Sequence, residues 1–182
     1  YNFFYDNCTT RARDVIERCI EGKVVYSEGK EGLSFRDIVH QYTKGHEWDE
    51  LGIDMCLGSE ADKPIDARKQ MFAPFYLLEA AKKATIVVGD SVRPLILHEK
   101  KVVDAEPENV GDGFPLSPLA CVFILIGITC FVGWLQFKTR KIIWIWDLLL
   151  FGVQGLAGCV ITFLVFFSTH PTVGSNWLIL LL

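Results

Sequence analysis

Apolar residues follow two different patterns along this 182-residue chain. Over residues 1–103 they recur at short helix-like and strand-like intervals between glycines, prolines and charges. These intervals predict strands over 23–26 and 85–88, a helix that a capping box of Ser34 and Asp37 begins, and a helix from Pro74 to Lys83. The predicted core positions of the two helices are Phe35, Ile38, Val39 and Tyr42 in the first and Phe75, Leu77, Leu78 and Ala81 in the second. Residues 119–137 carry no charge, and 142–168 carry only Asp147. About 19 apolar residues cross a hydrocarbon core of about 30 Å as a helix. The pattern predicts an α+β soluble part, because strands and helices mix without regular alternation, followed by transmembrane α-helices.

The first twenty residues combine a strand-like and a helix-like pattern. Tyr1, Phe3 and Tyr5 alternate with other residues, which predicts an extended aromatic strand. Asp6 and Asn7 are residue types that begin helices. The apolar positions that follow have helical spacing: Cys8, Ala12, Val15, Ile16, Cys19 and Ile20. We therefore expect Cys8 in the first turn of a helix.

The predicted position of Cys8 supports two interpretations. The positive end of a helix stabilises a thiolate, which is the nucleophilic form of cysteine. Asn7, Thr9 and Arg11 would then support the anion and an oxyanion at the helix start. The alternative is that Cys8 is a small buried hydrophobic residue on one stripe with Ala12, since unpaired cysteines are often found in cores. The pattern leaves both interpretations open.

Several segments resemble one known family. The string over 1–14, with Asn7-Cys8 at its centre, resembles the main motif of the Lnb N-terminal periplasmic domain family of Gram-negative envelope proteins. Further similar stretches follow in the expected order at 34–37, 48–54, 57–58, 167–171 and 176–177. The resemblance implies a papain-like or permuted NlpC/P60-like thiol domain joined to membrane helices. It also implies a role in the N-acylation of lipoproteins, with no metal or other cofactor expected.

The general base is the component of the site that the sequence does not place clearly. Members of the family carry a histidine motif well upstream of the Asn-Cys pair, and none precedes Tyr1 here, which favours the interpretation of this sequence as an internal fragment. Within the chain, His98 on a predicted strand over 95–103 is the candidate base. A helix-borne cysteine followed by a strand-borne histidine is the order of unpermuted papain-like enzymes. The resemblance instead places the histidine first.

Charge separates the two parts of the chain. Residues 1–116 hold 15 basic and 21 acidic residues, without the basic stripe and interleaved aromatics typical of nucleic-acid binding. The connection over 138–141 is basic, and such loops stay in the cytoplasm. We therefore expect a protein of the bacterial inner membrane with its thiol domain in the periplasm.

The predicted organisation has seven parts, taken in chain order. They are a thiol domain (1–103), a linker (104–118), transmembrane helix 1 (119–137), a cytoplasmic loop (138–141), transmembrane helix 2 (142–168), a periplasmic loop (169–175) and the start of transmembrane helix 3 (176–182).

Other polar residues support alternative interpretations. Arg36 and His170 are candidate substrate contacts, although a solvated arginine and an interfacial anchor are the simpler interpretations. Asp147 either acts within the membrane or reaches water from its end of the span. Cys19 and Cys56 are either bonded to each other or both reduced, and His40 is predicted to lie at the surface.

Three functions fit these residues. The leading hypothesis is a thiol acyltransferase in which Cys8 takes an acyl group from a membrane phospholipid and passes it to a lipoprotein. A thiol peptidase or amidase acting on the cell wall would use the same site. A non-catalytic envelope scaffold, with Cys8 in its core, is the alternative from another class.

Overall fold

The structure is a computed structural model that describes residues 2–103 and 114–180, without the side chains of residues 179 and 180. The chain forms two compact units. Unit 1 comprises Tyr1–Val39 and Asp62–Glu108, and unit 2 comprises His40–Ala61 and Asn109–Leu182. The domain limits given above stay predictions, and most of the predicted linker, 104–113, lies outside the described residues.

The described residues form seven α-helices, three strands and two 3₁₀ helices. The helices are α1 (Cys8–Cys19), α2 (Phe35–Thr43), α3 (Glu47–Cys56), α4 (Ala67–Gln70), α5 (Pro74–Lys83), α6 (Pro118–Thr139) and α7 (Trp144–Phe167). The strands are β1 (Lys23–Val25), β2 (Thr85–Val88) and β3 (Ser91–Pro94), and the 3₁₀ helices are Ser59–Asp62 and Trp177–Leu180. Mixed helices, a small sheet and two long apolar helices confirm the coarse architecture.

The sheet is antiparallel, with the order β1-β2-β3 and with Val24 opposite Ile86. The strands predicted near Val24 and over 85–88 are confirmed, but the strand predicted over 95–103 is wrong. Gly89, at φ 58°, lies in a two-residue turn that reverses the chain at once, so Ser91–Pro94 pairs with β2 instead. Strand β3 ends at Pro94, which has no N–H to donate, and one further bond runs from the Leu95 N–H to the Ala84 carbonyl at 2.9 Å.

The core of unit 1 is an aromatic cluster. The ring of Phe4 lies 4.5 Å from that of Phe35 and 5.1 Å from that of Phe72, and all three side chains are buried. The strand predicted at the N-terminus is wrong, since Asn2 and Asp6 pair across a tight turn. Asn2 Oδ1 accepts a bond from the Phe4 N–H at 3.2 Å, which favours the turn over an extended segment.

The buried face of α1 is polar, contrary to the prediction of an apolar stripe. Thr9, Thr10 and Arg13 are buried, whereas Val15 and Ile16 are 50% and 41% exposed. The inward face carries the cap residues and Arg13, which forms hydrogen bonds inside unit 1. Most of the remaining α1 positions are exposed.

Two further helices have the predicted limits but less burial than expected. On α2, Phe35, Ile38 and Val39 are buried as predicted, while Tyr42 is exposed. The helix predicted to begin at Pro74 ends at Lys83 as expected. Its Phe75 and Leu78 are exposed rather than in the core.

Unit 2 contains the two long apolar helices, α6 and α7. Both are long and apolar enough to cross a membrane, with a mean hydropathy of 2.3 over an 18-residue stretch of each. No residue of α6 is buried within the protein, so its apolar side chains need an apolar solvent. The spans predicted over 119–137 and 142–168 agree with these helices within two residues at each end. In unit 2, α3 packs against both helices.

Candidate active site

Cys8 is the first residue of α1 and is exposed to solvent. The interpretation of Cys8 as a buried hydrophobic residue is therefore wrong. Among the described residues, the only polar contact of its sulfur is with Thr9 Oγ1 at 4.0 Å. The thiol is accessible to a substrate at the positive end of a three-turn helix.

Asn7 holds the start of α1 in place. Its Oδ1 accepts a bond from the Thr10 N–H at 2.9 Å, and its own N–H donates to Thr10 Oγ1 at 2.9 Å, so the two residues form a reciprocal capping box. Asn7 Nδ2 donates to the carbonyl oxygens of Phe3 and Phe72 at 2.8 and 2.9 Å. The Asn7 side chain is buried and fully used, so it positions Cys8 through the backbone.

The helix start leaves two donors next to the sulfur. The backbone N–H groups of Cys8 and Thr9 donate to no described residue, because the cap takes only the N–H groups of Thr10 and Arg11. Unpaired N–H groups in a first helical turn bind anions. They can therefore serve as donors for an oxyanion formed beside Cys8.

Arg11 is bound to Asp6 instead of extending freely beside the thiol. Its Nε and Nη2 donate to the two carboxylate oxygens of Asp6 at 2.7 and 2.8 Å, in an exposed pair. The Arg11 guanidinium lowers the pKa of Asp6. Asp6 therefore balances the charge of Arg11.

A second network, which the sequence did not reveal, fixes the inward face of α1. The Arg13 side chain is 8% exposed, binds Asp14 at 2.7 Å and donates to the Arg68 carbonyl at 3.0 Å. Arg68 binds Glu17 at 2.8 Å and lowers the pKa of that carboxyl. Burial, with the nearby Glu17 charge, raises the pKa of Tyr26 to about 12. This network joins the middle and the C-terminal half of α1 to α4.

His98 is the one histidine in the sequence of unit 1. It is exposed and follows β3 in an irregular segment, so it is not on a strand as predicted. No hydrogen bond joins it to Cys8 in the described part of the chain. Its assignment as general base stays a prediction that no contact supports.

The two candidate substrate contacts lie in different units. Arg36 Nε donates to Asp62 at 2.6 Å, and its side chain is only 20% exposed, which makes it a structural link within unit 1. His170 follows α7 and is half-buried, with its backbone in a turn closed by the bond from the Val173 N–H to the His170 carbonyl at 3.1 Å. Their substrate roles stay predictions.

His40 is not simply solvated, as the sequence suggested. Its Nε2 lies 2.9 and 3.1 Å from the two carboxylate oxygens of Asp54, which joins α2 to α3 inside unit 2. Fourteen residues separate the two, and neither helix carries a local signal for the pair, so periodicity could not reveal it.

Within the described ranges, no group of three metal-ligating side chains is arranged to hold an ion. All six cysteines are free thiols, so Cys19 and Cys56 are not bonded to each other.

Two apolar helices beside a mixed α+β part define a membrane protein. Residues 109–182 match the family model of the Lnb transmembrane domain, which supports membership of the Lnb family. No curated protein and no solved structure matches the chain.

Proposed function

We propose that this chain is part of a membrane-anchored thiol acyltransferase of the bacterial inner membrane, with a papain-like thiol domain in the periplasm. Cys8 would carry a phospholipid-derived acyl group as a thioester and pass it to the amine of a lipoprotein. The observation that supports this proposal best is the exposed Cys8 sulfur at a capped helix start, with the Cys8 and Thr9 N–H groups unpaired among the described residues.

The chemistry uses few groups and needs no oxidant or reductant. The Cys8 thiolate attacks the ester carbonyl of a phospholipid and forms a carbon–sulfur bond. The tetrahedral oxyanion is stabilised by the N–H groups of Cys8 and Thr9. Collapse breaks the ester carbon–oxygen bond, and the lysophospholipid oxygen takes a proton. The lipoprotein amine then attacks the thioester, loses a proton and releases the thiolate.

The base in this proposal comes from the family resemblance. That resemblance places a histidine ahead of the Asn-Cys pair in chain order, so we assign no proton transfer to His98. His170 is the stronger of the two head-group candidates, because its ring has no hydrogen-bond partner in the described ranges, whereas Arg36 holds Asp62.

Membrane anchoring favours lipid as the acyl donor. The chain carries two helices that can cross a bilayer and matches a transmembrane family model. Anchoring confines the thiol domain to the layer in which phospholipid esters are concentrated, which raises their effective concentration.

The test is acyl transfer to a lipoprotein peptide by the intact protein in phospholipid vesicles. We expect Cys8→Ala to abolish transfer and to remain folded and inserted. Cys19→Ala is the matched control, since Cys19 is also exposed but ends the same helix, and this variant should keep full activity. Transfer by inserted Cys8→Ala at the wild-type rate would refute the proposal.

A further inference from the structure

The short helix α3 is bonded at its two ends to the segments that flank two different long apolar helices. Trp48 in its first turn donates from Nε1 to the carbonyl of Leu116, just before α6, at 2.8 Å. In its last turn, the carbonyl of Met55 accepts a bond at 2.7 Å from Asn176 Nδ2, which follows α7. The start of α6 and the end of α7 lie on the same side of a membrane, because only residues 140–143 separate the two spans.

A second set of bonds holds the end of α3 to the segment after α7. The Gly58 N–H donates to the Thr172 carbonyl at 2.7 Å, and the Ser59 N–H donates to the Ser175 carbonyl at 3.0 Å. Thr172 is buried, as is Gly58. These bonds fix α3 at the level where both spans leave the hydrocarbon.

Three apolar residues of α3 lie close together around the helix axis. At about 100° per residue, Trp48, Leu51 and Met55 fall within one arc of about 60°. Leu51 is 40% exposed although it belongs to this apolar arc. Ile53, with 36% exposure, lies about 160° from Leu51 on the same helix.

The acidic side of α3 is occupied by protein. Glu50 accepts a bond from Thr43 Oγ1 at 2.9 Å, and Asp54 binds His40 Nε2 at 2.9 Å. These contacts hold the two carboxylates against α2. Leu51 lies about 100° from Glu50 and about 60° from Asp54 around the helix, and its 40% exposure shows that the α2 contacts leave it uncovered.

We propose that α3 is an interfacial helix whose Trp48–Leu51–Met55 face binds the phospholipid head-group and upper acyl region of the bilayer. An amphipathic helix at this level buries its apolar side in the interface, and a tryptophan is favoured there because its indole is apolar with one polar N–H. The surface is continuous with the lipid-facing surface of α6, because the indole of Trp48 contacts Leu116, two residues before that span begins.

This inference does not rest on the proposed acyl transfer. It assigns a lipid-binding surface to α3 of unit 2, whatever reaction Cys8 performs. Leu51 and Ile53 form a natural pair for the test, since both are aliphatic, similarly exposed and on the same helix.

The test places the photoreactive amino acid benzoylphenylalanine at position 51 or 53 of the intact protein in vesicles of phosphatidylethanolamine and phosphatidylglycerol. Position 123 in α6, where Phe123 is 65% exposed, serves as the positive control for lipid. After irradiation, mass spectrometry should find several-fold more phospholipid adduct at position 51 than at position 53. A nitroxide on Leu51→Cys, in a protein whose six native cysteines are replaced by serine, provides a smaller probe, which should be relaxed more by oxygen than by a water-soluble nickel complex.

Equal lipid adduct at positions 51 and 53 would overturn the inference. Adducts at position 51 that carry only protein would do the same, because the occupant of the face would then be a polypeptide. An absence of acyl transfer by the wild-type protein, with lipid adducts at position 51 still formed, would count against the proposed function alone.

Discussion

Replacement of Asn7 by alanine tests how the start of α1 is held. The change removes the cap bond to the Thr10 N–H, which is worth about 0.5–2 kcal/mol. It also removes the two bonds from Nδ2 to the carbonyls of Phe3 and Phe72, worth about 0.5–1.5 kcal/mol each. Because Asn7 is buried, water does not replace these bonds fully. We expect Asn7→Ala to destabilise α1 by about 2–4 kcal/mol, near the middle of the summed ranges.

Amide hydrogen exchange over residues 11–19 of the intact protein measures this effect. Where protection reports the equilibrium between the closed and the opened helix, a loss of about 2–4 kcal/mol corresponds to a roughly 30- to 1000-fold faster exchange. Asn7→Asp separates the two contributions, since it keeps the acceptor for Thr10 and loses both Nδ2 donors. Protection that stays within about twofold of wild type in Asn7→Ala would refute the assignment of Asn7 as the anchor of this helix.

Three further predictions concern other positions. Tyr26 has a folded-state pKa of about 12, against an ordinary value of 10.0. Its contribution to the free energy of unfolding should therefore be constant below pH 10 and be lost between pH 10 and 12, where the tyrosine ionises in the unfolded chain first. Tyr26→Phe should weaken this loss in unfolding curves recorded at alkaline pH, and an unchanged pH dependence would contradict the prediction. Gly58→Ala would place a Cβ 2.8 Å from the Ser175 carbonyl carbon and should cost about 1–3 kcal/mol in thermal unfolding, whereas Gly52→Ala, with open space, should not destabilise. Cys8 should react with iodoacetamide roughly 3- to 30-fold faster than Cys19, since opposite helix ends contribute about 0.3–1 kcal/mol each; equal rates would contradict the helix-end argument.

Local signals in the sequence predicted the helix starts well. Asn7 caps α1 as expected, and at α2 the Ser34 N–H donates to Asp37 Oδ2 at 2.8 Å while the Asp37 N–H donates to Ser34 Oγ at 3.1 Å. Both motifs join residues three apart, so their energies depend little on the rest of the fold. The two spans were equally predictable, because a long uncharged segment has few alternatives.

The errors arose where distant residues decide the structure. Arg13 lies on the inward side of α1, where it donates to the Arg68 carbonyl. This partner lies 55 positions away in the sequence, so the local pattern of α1 does not contain it. The aromatic alternation at the N-terminus satisfies a strand pattern, but the Asn2 side chain and the core position of Phe4 favour a turn. Periodicity describes one segment at a time and contains no information about such partners.

The candidate site was predicted in part. The cap at Asn7 predicted that Cys8 lies in the first turn of α1. The exposure of Cys8 could not be predicted, because it depends on which face of α1 turns inward. The pairing of Arg11 with Asp6 spans five positions and was missed, because the residues before the cap were expected to be extended. Arg11 therefore pairs with a carboxylate and not with the thiol as predicted.

Thioester formation on Cys8 is tested most directly by the mass of the Cys8-containing peptide after the intact protein has been incubated with phospholipid in the absence of a lipoprotein acceptor. We expect an acyl group on Cys8 that neutral hydroxylamine removes, and none on Cys19. A Cys8 peptide that stays unmodified while acyl transfer proceeds would contradict it.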